Sequence, residues 1–228
     1  MRQVQVLLLF LVFVLGVIFI PVCLADQQKK VSGMTGELYV GPYLNLQGKV
    51  ELPKEVAWKV YGAYVGIDEE GNKQVEDCVS LVLQDAKMKF WPVIVKMDLP
   101  AAESLLARFK EIQAIKEKHP QQGKPVSGMQ CSLFTTPYKV TSKGKIVLPG
   151  DVKCQVYSIY FGVSPEKKKT AEDCFLFVLE QEQKDKKTFW PMVCKMDTTA
   201  ALGLMSDLKR VVFFKTNTSF KVSKTNKD

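Results

Sequence analysis

The strongest constraint on this chain is that it is written twice. Val31-Ser32-Gly33-Met34 returns as Val126-Ser127-Gly128-Met129, Val60-Tyr61 as Val156-Tyr157, and Glu76-Asp77-Cys78 as Glu172-Asp173-Cys174. Phe90-Trp91-Pro92 returns as Phe189-Trp190-Pro191, and Lys96-Met97-Asp98 as Lys195-Met196-Asp197. The offset grows only from 95 (126 against 31) to 99 (197 against 98), so the insertions are small and fall in turns. Two copies are too few for a solenoid, in which each unit leans on its neighbours. Each copy is long enough to hold a core of its own. The reading is two tandem modules, residues 31–115 and 126–214, each expected to fold alone. A polar linker at 116–125 joins them, and a flexible basic tail follows at 215–228.

Each copy predicts about five strands and then a helix. In copy one the strands fall at 36–40, 49–52, 56–67, 74–84 and 89–97, bounded by Gly, Pro and Asp/Asn turns. In the last of these, Trp91, Val93, Val95 and Met97 share one face, which is assigned to the core. Lys96 lies on the other face and is assigned to solvent, and Pro92 suits an edge strand. Tyr61, Tyr64, Tyr157 and Tyr160 are assigned to packing, the usual fate of strand aromatics. Asp98 then stands where a helix N-cap carboxylate would accept from free N–H groups, and Pro100 is tolerated in the first turn. Ala102, Leu105, Leu106, Phe109 and Ile112 follow at helical spacing; Asp197, Ala201, Leu204, Met205, Leu208 and Val211 repeat the arrangement. The fold class is α+β, a mostly antiparallel sheet with the C-terminal helix of each module packed on it. A small β-barrel plus helix is the alternative.

Residues 1–25 differ from the rest. Arg2 precedes a run from Val6 to Ile20 that is apolar except for Gly16, and Pro21 ends it before Cys23-Leu24-Ala25. That is the layout of a signal peptide cut before Asp26, and it implies a secreted or otherwise extracytoplasmic protein whose mature chain has no transmembrane domain. An uncleaved N-terminal anchor is the alternative. The whole chain carries a formal charge of +8. Residues 31–125 hold 12 basic and 13 acidic side chains, whereas 126–228 hold 17 and 10, so the charge belongs to copy two.

Export permits disulfides. Cys154 and Cys194 stand where copy one has Trp58 and Val95, both expected inward, so a bridge between them is the candidate compensation for the missing tryptophan.

The chemistry-bearing residues are few. His119 is the only histidine and lies in the linker, so a Ser–His or Cys–His nucleophile pair has no formed site to occupy. No phosphate-binding glycine fingerprint and no Cys-x-x-Cys occur, and no cofactor is implied. The repeated acids Glu76, Asp77, Glu172 and Asp173 are the most site-like group: two carboxylates can act as acid and base or hold a hard cation. In a strand, however, neighbours face opposite sides, which favours a structural role. Lys167, Lys168, Lys169, Lys184, Lys186 and Lys187 fall in two hairpin loops and form a candidate basic patch. The functional expectation is a non-enzymatic exported binding or interaction protein. Its partner is a protein or, through the basic copy, a polyanion or anionic surface. A hydrolase using the Glu-Asp pairs is the third reading.

Overall fold

The computed structural model describes residues 29–30, 33–39, 49–51, 56–67, 71–85, 87, 93–134, 145–147, 152–164, 166–181 and 189–222. The expected signal segment 1–25, the Phe90-Trp91-Pro92 motif and Lys184, Lys186 and Lys187 lie outside them.

The molecule is mixed α and β, with mostly antiparallel sheets and, among the described residues, two helices. One sheet runs in the order β11 (Lys145–Val147), β2 (Met34–Tyr39), β8 (Val93–Met97), β7 (Val79–Asp85), β4 (Val56–Tyr61). A second runs β3 (Lys49–Glu51), β10 (Met129–Phe134), β14 (Phe189–Met196), β13 (Lys169–Gln181), β12 (Val152–Val163). β9 (Lys124–Pro125) adds to β13 in parallel, and the equivalent β1 (Lys29–Lys30) adds to β6 (Lys73–Asp77), which also pairs with β5 (Tyr64–Ile67). The helices are α1 (Leu99–Lys118) and α2 (Thr198–Val222). None of the described helices is long and apolar enough to cross a membrane.

The two halves trade parts. β3 of the first half pairs with β10 of the second, Leu133 opposite Val50, while β11 of the second half pairs with β2 of the first, Ile146 opposite Leu38. The helices reach across as well: α1 packs against β12, and α2 mainly against β4, with smaller contacts to β13 and β14 of its own half. The expected arrangement, each module with its own helix on its own sheet, is therefore not the one observed. One apolar cluster spans both halves, with Phe109 of α1 stacked against Phe175 and Phe177 of β13 at 6.3 and 6.4 Å between ring centres. Trp58 of β4 meets Phe177 edge to face at 5.5 Å. Burying one such side chain contributes about 1.5–3 kcal/mol, so these cross-half contacts are a substantial part of the stability.

Local signals behave as the sequence predicts. Asp98 Oδ1 accepts from Ala101 N at 3.0 Å and Asp197 Oδ1 from Ala200 N at 2.8 Å, capping both helices. The second carboxylate oxygens accept from Gly33 N (2.8 Å) and Gly128 N (2.7 Å). Both glycines have left-handed backbones, φ 73° and 70°, which explains the glycine of the repeated Val-Ser-Gly-Met block. The apolar stripes of both helices face the core, although in α2 Val212 is more deeply buried than Val211. α2 also continues to Val222, eight positions into the stretch read as a tail, with Lys215 bonded to Asp77.

Three expectations are corrected. Lys96 is buried rather than solvent-facing, because its ammonium lies over the Tyr64 ring and meets Glu76 and Glu37. The strand that follows Pro92 is central and not an edge: β8 lies between β2 and β7, with Pro92 itself outside the described residues; in the equivalent β14, between β13 and β10, Pro191 falls where the β13 register slips, an irregularity that tolerates the missing N–H. Cys194 is bonded to Cys131, not to Cys154. Cys131 and Cys194 are direct partners across β10 and β14, with Cα atoms 4.0 Å apart. β13 lies between β12 and β14, which puts Cys154 two inter-strand spacings away, about 9–10 Å, beyond a disulfide's reach.

Candidate functional site

The repeated acids are each engaged by a lysine. Glu76 accepts from Lys96 at 3.1 Å, with Glu37 3.6 Å from the same ammonium and Tyr64 below it at 4.4 Å. In the second half Glu172 accepts from Lys195 at 2.8 Å, and that ammonium lies 4.6 Å above the Tyr160 ring. The aspartates face the other way and reach helices of the opposite half: Asp77 meets Lys215 of α2, and Asp173 meets Lys116 of α1. Lys116 also donates to the carbonyls of Ser158 (2.9 Å) and Cys174 (3.1 Å). The four carboxylates thus clamp each half's strands to a core lysine and to the partner half's helix. Among the described residues no group of three or more His, Cys, Asp or Glu side chains is arranged to hold a metal.

Two buried thiols sit beside these clamps. Burial pushes Cys78 up to about 11, and its neighbour Glu76 adds to this. Burial does the same to Cys174, also about 11, against the opposing pull of Lys116. Thiols held neutral in this way are poor nucleophiles. Tyr64 is raised still further by burial and by Glu37, to whose carboxylate its hydroxyl donates.

Of the basic patch, Lys167, Lys168 and Lys169 lie exposed on the turn joining β12 to β13. Lys167 takes a left-handed backbone (φ 59°), and its N–H donates to Ser164 O. Lys184, Lys186 and Lys187, the other half of that patch, lie outside the described residues.

Sequence reasoning missed a pair of exposed apolar stripes. Tyr157, Phe161 and Val163 line the outer face of β12, with Phe161 73% and Val163 68% exposed. Their repeat equivalents Tyr61, Val65 and Ile67 are exposed on β4 and β5, Val65 at 58% and Ile67 at 73%. The strands that carry them are terminal: β12 pairs only with β13 among the described strands, and β5 only with β6. The available signal was the apolar character of both alternating sets in 60–67 and 156–163, where a half-buried strand needs only one.

The two halves also share an open cleft of about 400 Å³. Met34 of β2 and Ala101, Leu105 and Arg108 of α1 form one side, and residues 152–155 of β12 form the other. The Cys154 thiol lies 3.2 Å from the Met34 thioether sulfur, and burial raises its pKa.

No family model, no curated protein and no solved structure matches this chain.

Proposed function

We propose that this is an exported, non-enzymatic binding protein that holds an extended polypeptide segment along its two terminal strand systems. The observation that carries the reading is the repeated stripe: Tyr157, Phe161 and Val163 on one terminal strand, and Tyr61, Val65 and Ile67 at the equivalent places in the other half. A terminal strand offers unpaired N–H and C=O groups to an added strand, and an apolar row beside it gives the added side chains something to cover. Two such surfaces on one chain give bivalent capture, which raises avidity without new contacts. Export is the reading of residues 1–25, and an acidic segment suits the charge of +8 best. The carboxylates that a hydrolase would need are occupied in ion pairs, Glu76 and Glu172 with strand lysines and Asp77 and Asp173 with helix lysines.

The test is selection of peptides from a random library on the full chain, with amide hydrogen exchange as the readout. Selected peptides alternate apolar and polar residues, and they slow exchange at 157–163 and 61–67. Replacing Phe161 and Val65 by lysine weakens them about tenfold or more, equivalent to about 1.4 kcal/mol. Selected peptides that protect only other strands, or that ignore both lysine substitutions, would overturn the reading. Concentration-dependent dimerisation that the same substitutions abolish would replace the peptide by a second copy of the chain.

A further inference from the structure

The cleft between the halves has a filled counterpart. The repeat places Trp58 opposite Cys154, Met129 opposite Met34, and Leu204 opposite Leu105. In one location the indole of Trp58 is 4% exposed between β4 and the helix that covers it, packed edge-on against Phe177. In the other, the indole is replaced by the short Cys154 side chain, and the cleft of about 400 Å³ lies there. Its volume is at the lower end of those of small-molecule sites. The walls supplied by Met34, Ala101, Leu105 and Cys154 are apolar.

A second difference accompanies the missing ring. Arg108 and Lys153 line the open cleft, and the repeat places Asp207 and Ala57 at the matching positions of the filled one. The side that lost the tryptophan therefore carries the Arg108–Glu111 pair and Lys153, a surplus of one positive charge, where the other side carries the reversed Asp207–Arg210 pair and the methyl group of Ala57. Arg108 pairs with Glu111 one turn along α1. The filled counterpart also indicates what is recognised. Trp58 Nε1 is buried with no hydrogen-bond partner among the described residues, so that slot accommodates a flat ring by shape and not through a ring donor.

From this we infer that the cleft beside Cys154 binds a planar aromatic ring about the size of an indole, carrying or flanked by a carboxylate that Arg108 and Lys153 receive. The ring stacks where the repeat puts Trp58, between β12 and α1, and the anion lies at the basic rim. A free aromatic acid and an aromatic side chain within an acidic peptide present the same chemistry. This site uses the first residues of β12, 152–155, and the exposed stripe the later ones, 157–163; the test variants at 108 and 154 leave the stripe residues unchanged.

The test uses the full chain with indole-3-acetate, neutral indole, and a capped Asp-Trp-Glu tripeptide as probes. Calorimetry is expected to give saturable one-to-one binding, and bound probe slows amide hydrogen exchange at residues 152–155 and 101–108, which line the cleft. Cys154→Trp refills the slot and weakens every probe about tenfold or more. Cys154→Leu, a smaller filling change, does so in part and guards against a misfolded tryptophan variant; near-ultraviolet circular dichroism reports the fold of both. Arg108→Gln weakens indole-3-acetate about three- to tenfold and leaves indole unchanged. Tighter binding of the tripeptide than of the free acid identifies a polypeptide source, and the reverse a small molecule. Absence of binding by all three probes at millimolar concentration would overturn the inference, as would undiminished binding to folded Cys154→Trp or unchanged amide exchange at residues 152–155 in the saturated protein.

Discussion

The two halves carry one residue pattern and perform different structural tasks. In the first half the hairpin is broken: Gly62 and Ala63 bend the chain between β4 and β5, and Cys78 interrupts β6 and β7. In the second half the same stretches run unbroken as β12 and β13, with Ser158 in place of Gly62 and its carbonyl held by Lys116. The first half keeps the tryptophan and a wide polar network in which Glu37 accepts from Tyr39 and Tyr64 and faces Lys96. The second has Ser132 and Phe134 at the corresponding positions, a disulfide across β10 and β14, and the open cleft. The contacts that both halves share are the helix caps and the acid–lysine clamps; the halves differ at positions where one of them already fills the shared core.

The strongest way to break this comparison is to separate the halves. With β3 and β11 exchanged and each helix on the other half's strand, neither residues 31–118 nor 126–215 retains a closed core. Each fragment alone is expected to show no cooperative unfolding, and an equimolar mixture to regain it; far-ultraviolet circular dichroism through a urea titration measures both. A cooperative transition in either isolated half would show that the exchange is dispensable.

Making the first half resemble the second should be next in size. Trp58→Cys removes a ring packed on Phe177 and is expected to cost about 3–5 kcal/mol in denaturant unfolding. A loss under about 1 kcal/mol would mean that the two slots are equivalent and that the indole fills nothing essential.

The two cross-half lysines give the finest comparison. Lys116 joins Asp173 and two carbonyls with little exposure, so Lys116→Met leaves three acceptors short of a donor and should cost about 1–3 kcal/mol. Lys215 meets Asp77, a carboxylate whose side chain is 51% exposed, so water replaces much of the bond and Lys215→Met should cost about 0–1 kcal/mol. Paired melts of the two variants measure the difference; equal costs would remove the distinction between the clamps.

Most local structure was legible in the residues. Asp98 and Asp197 announce their helices, the stripes through Phe109 and Leu208 announce the buried faces, and the alternation in 93–97 announces a strand. Lys96 was misread because alternation shows which side chains share a face and not whether β5 and Tyr64 will cover it. Cys154 was misread because inward orientation does not give distance: β13 lies between it and Cys194. The exposed stripes were misread because an apolar residue on a strand is assigned to a core by default, and only the position of β12 at the end of its sheet removes the neighbour.

The sequence by itself determined the repeated residue pattern, most of the strands and helices and the helix caps, since these depend on spacing and on interactions within a few residues. Which copy's strand pairs with which, and which helix covers which sheet, was decided only in the tertiary structure. Two halves that share one residue pattern offer each strand two similar partners, and no local pattern distinguishes them. The choice belongs to the summed burial of one shared core, in which Phe109, Trp58 and Phe177 meet across the halves.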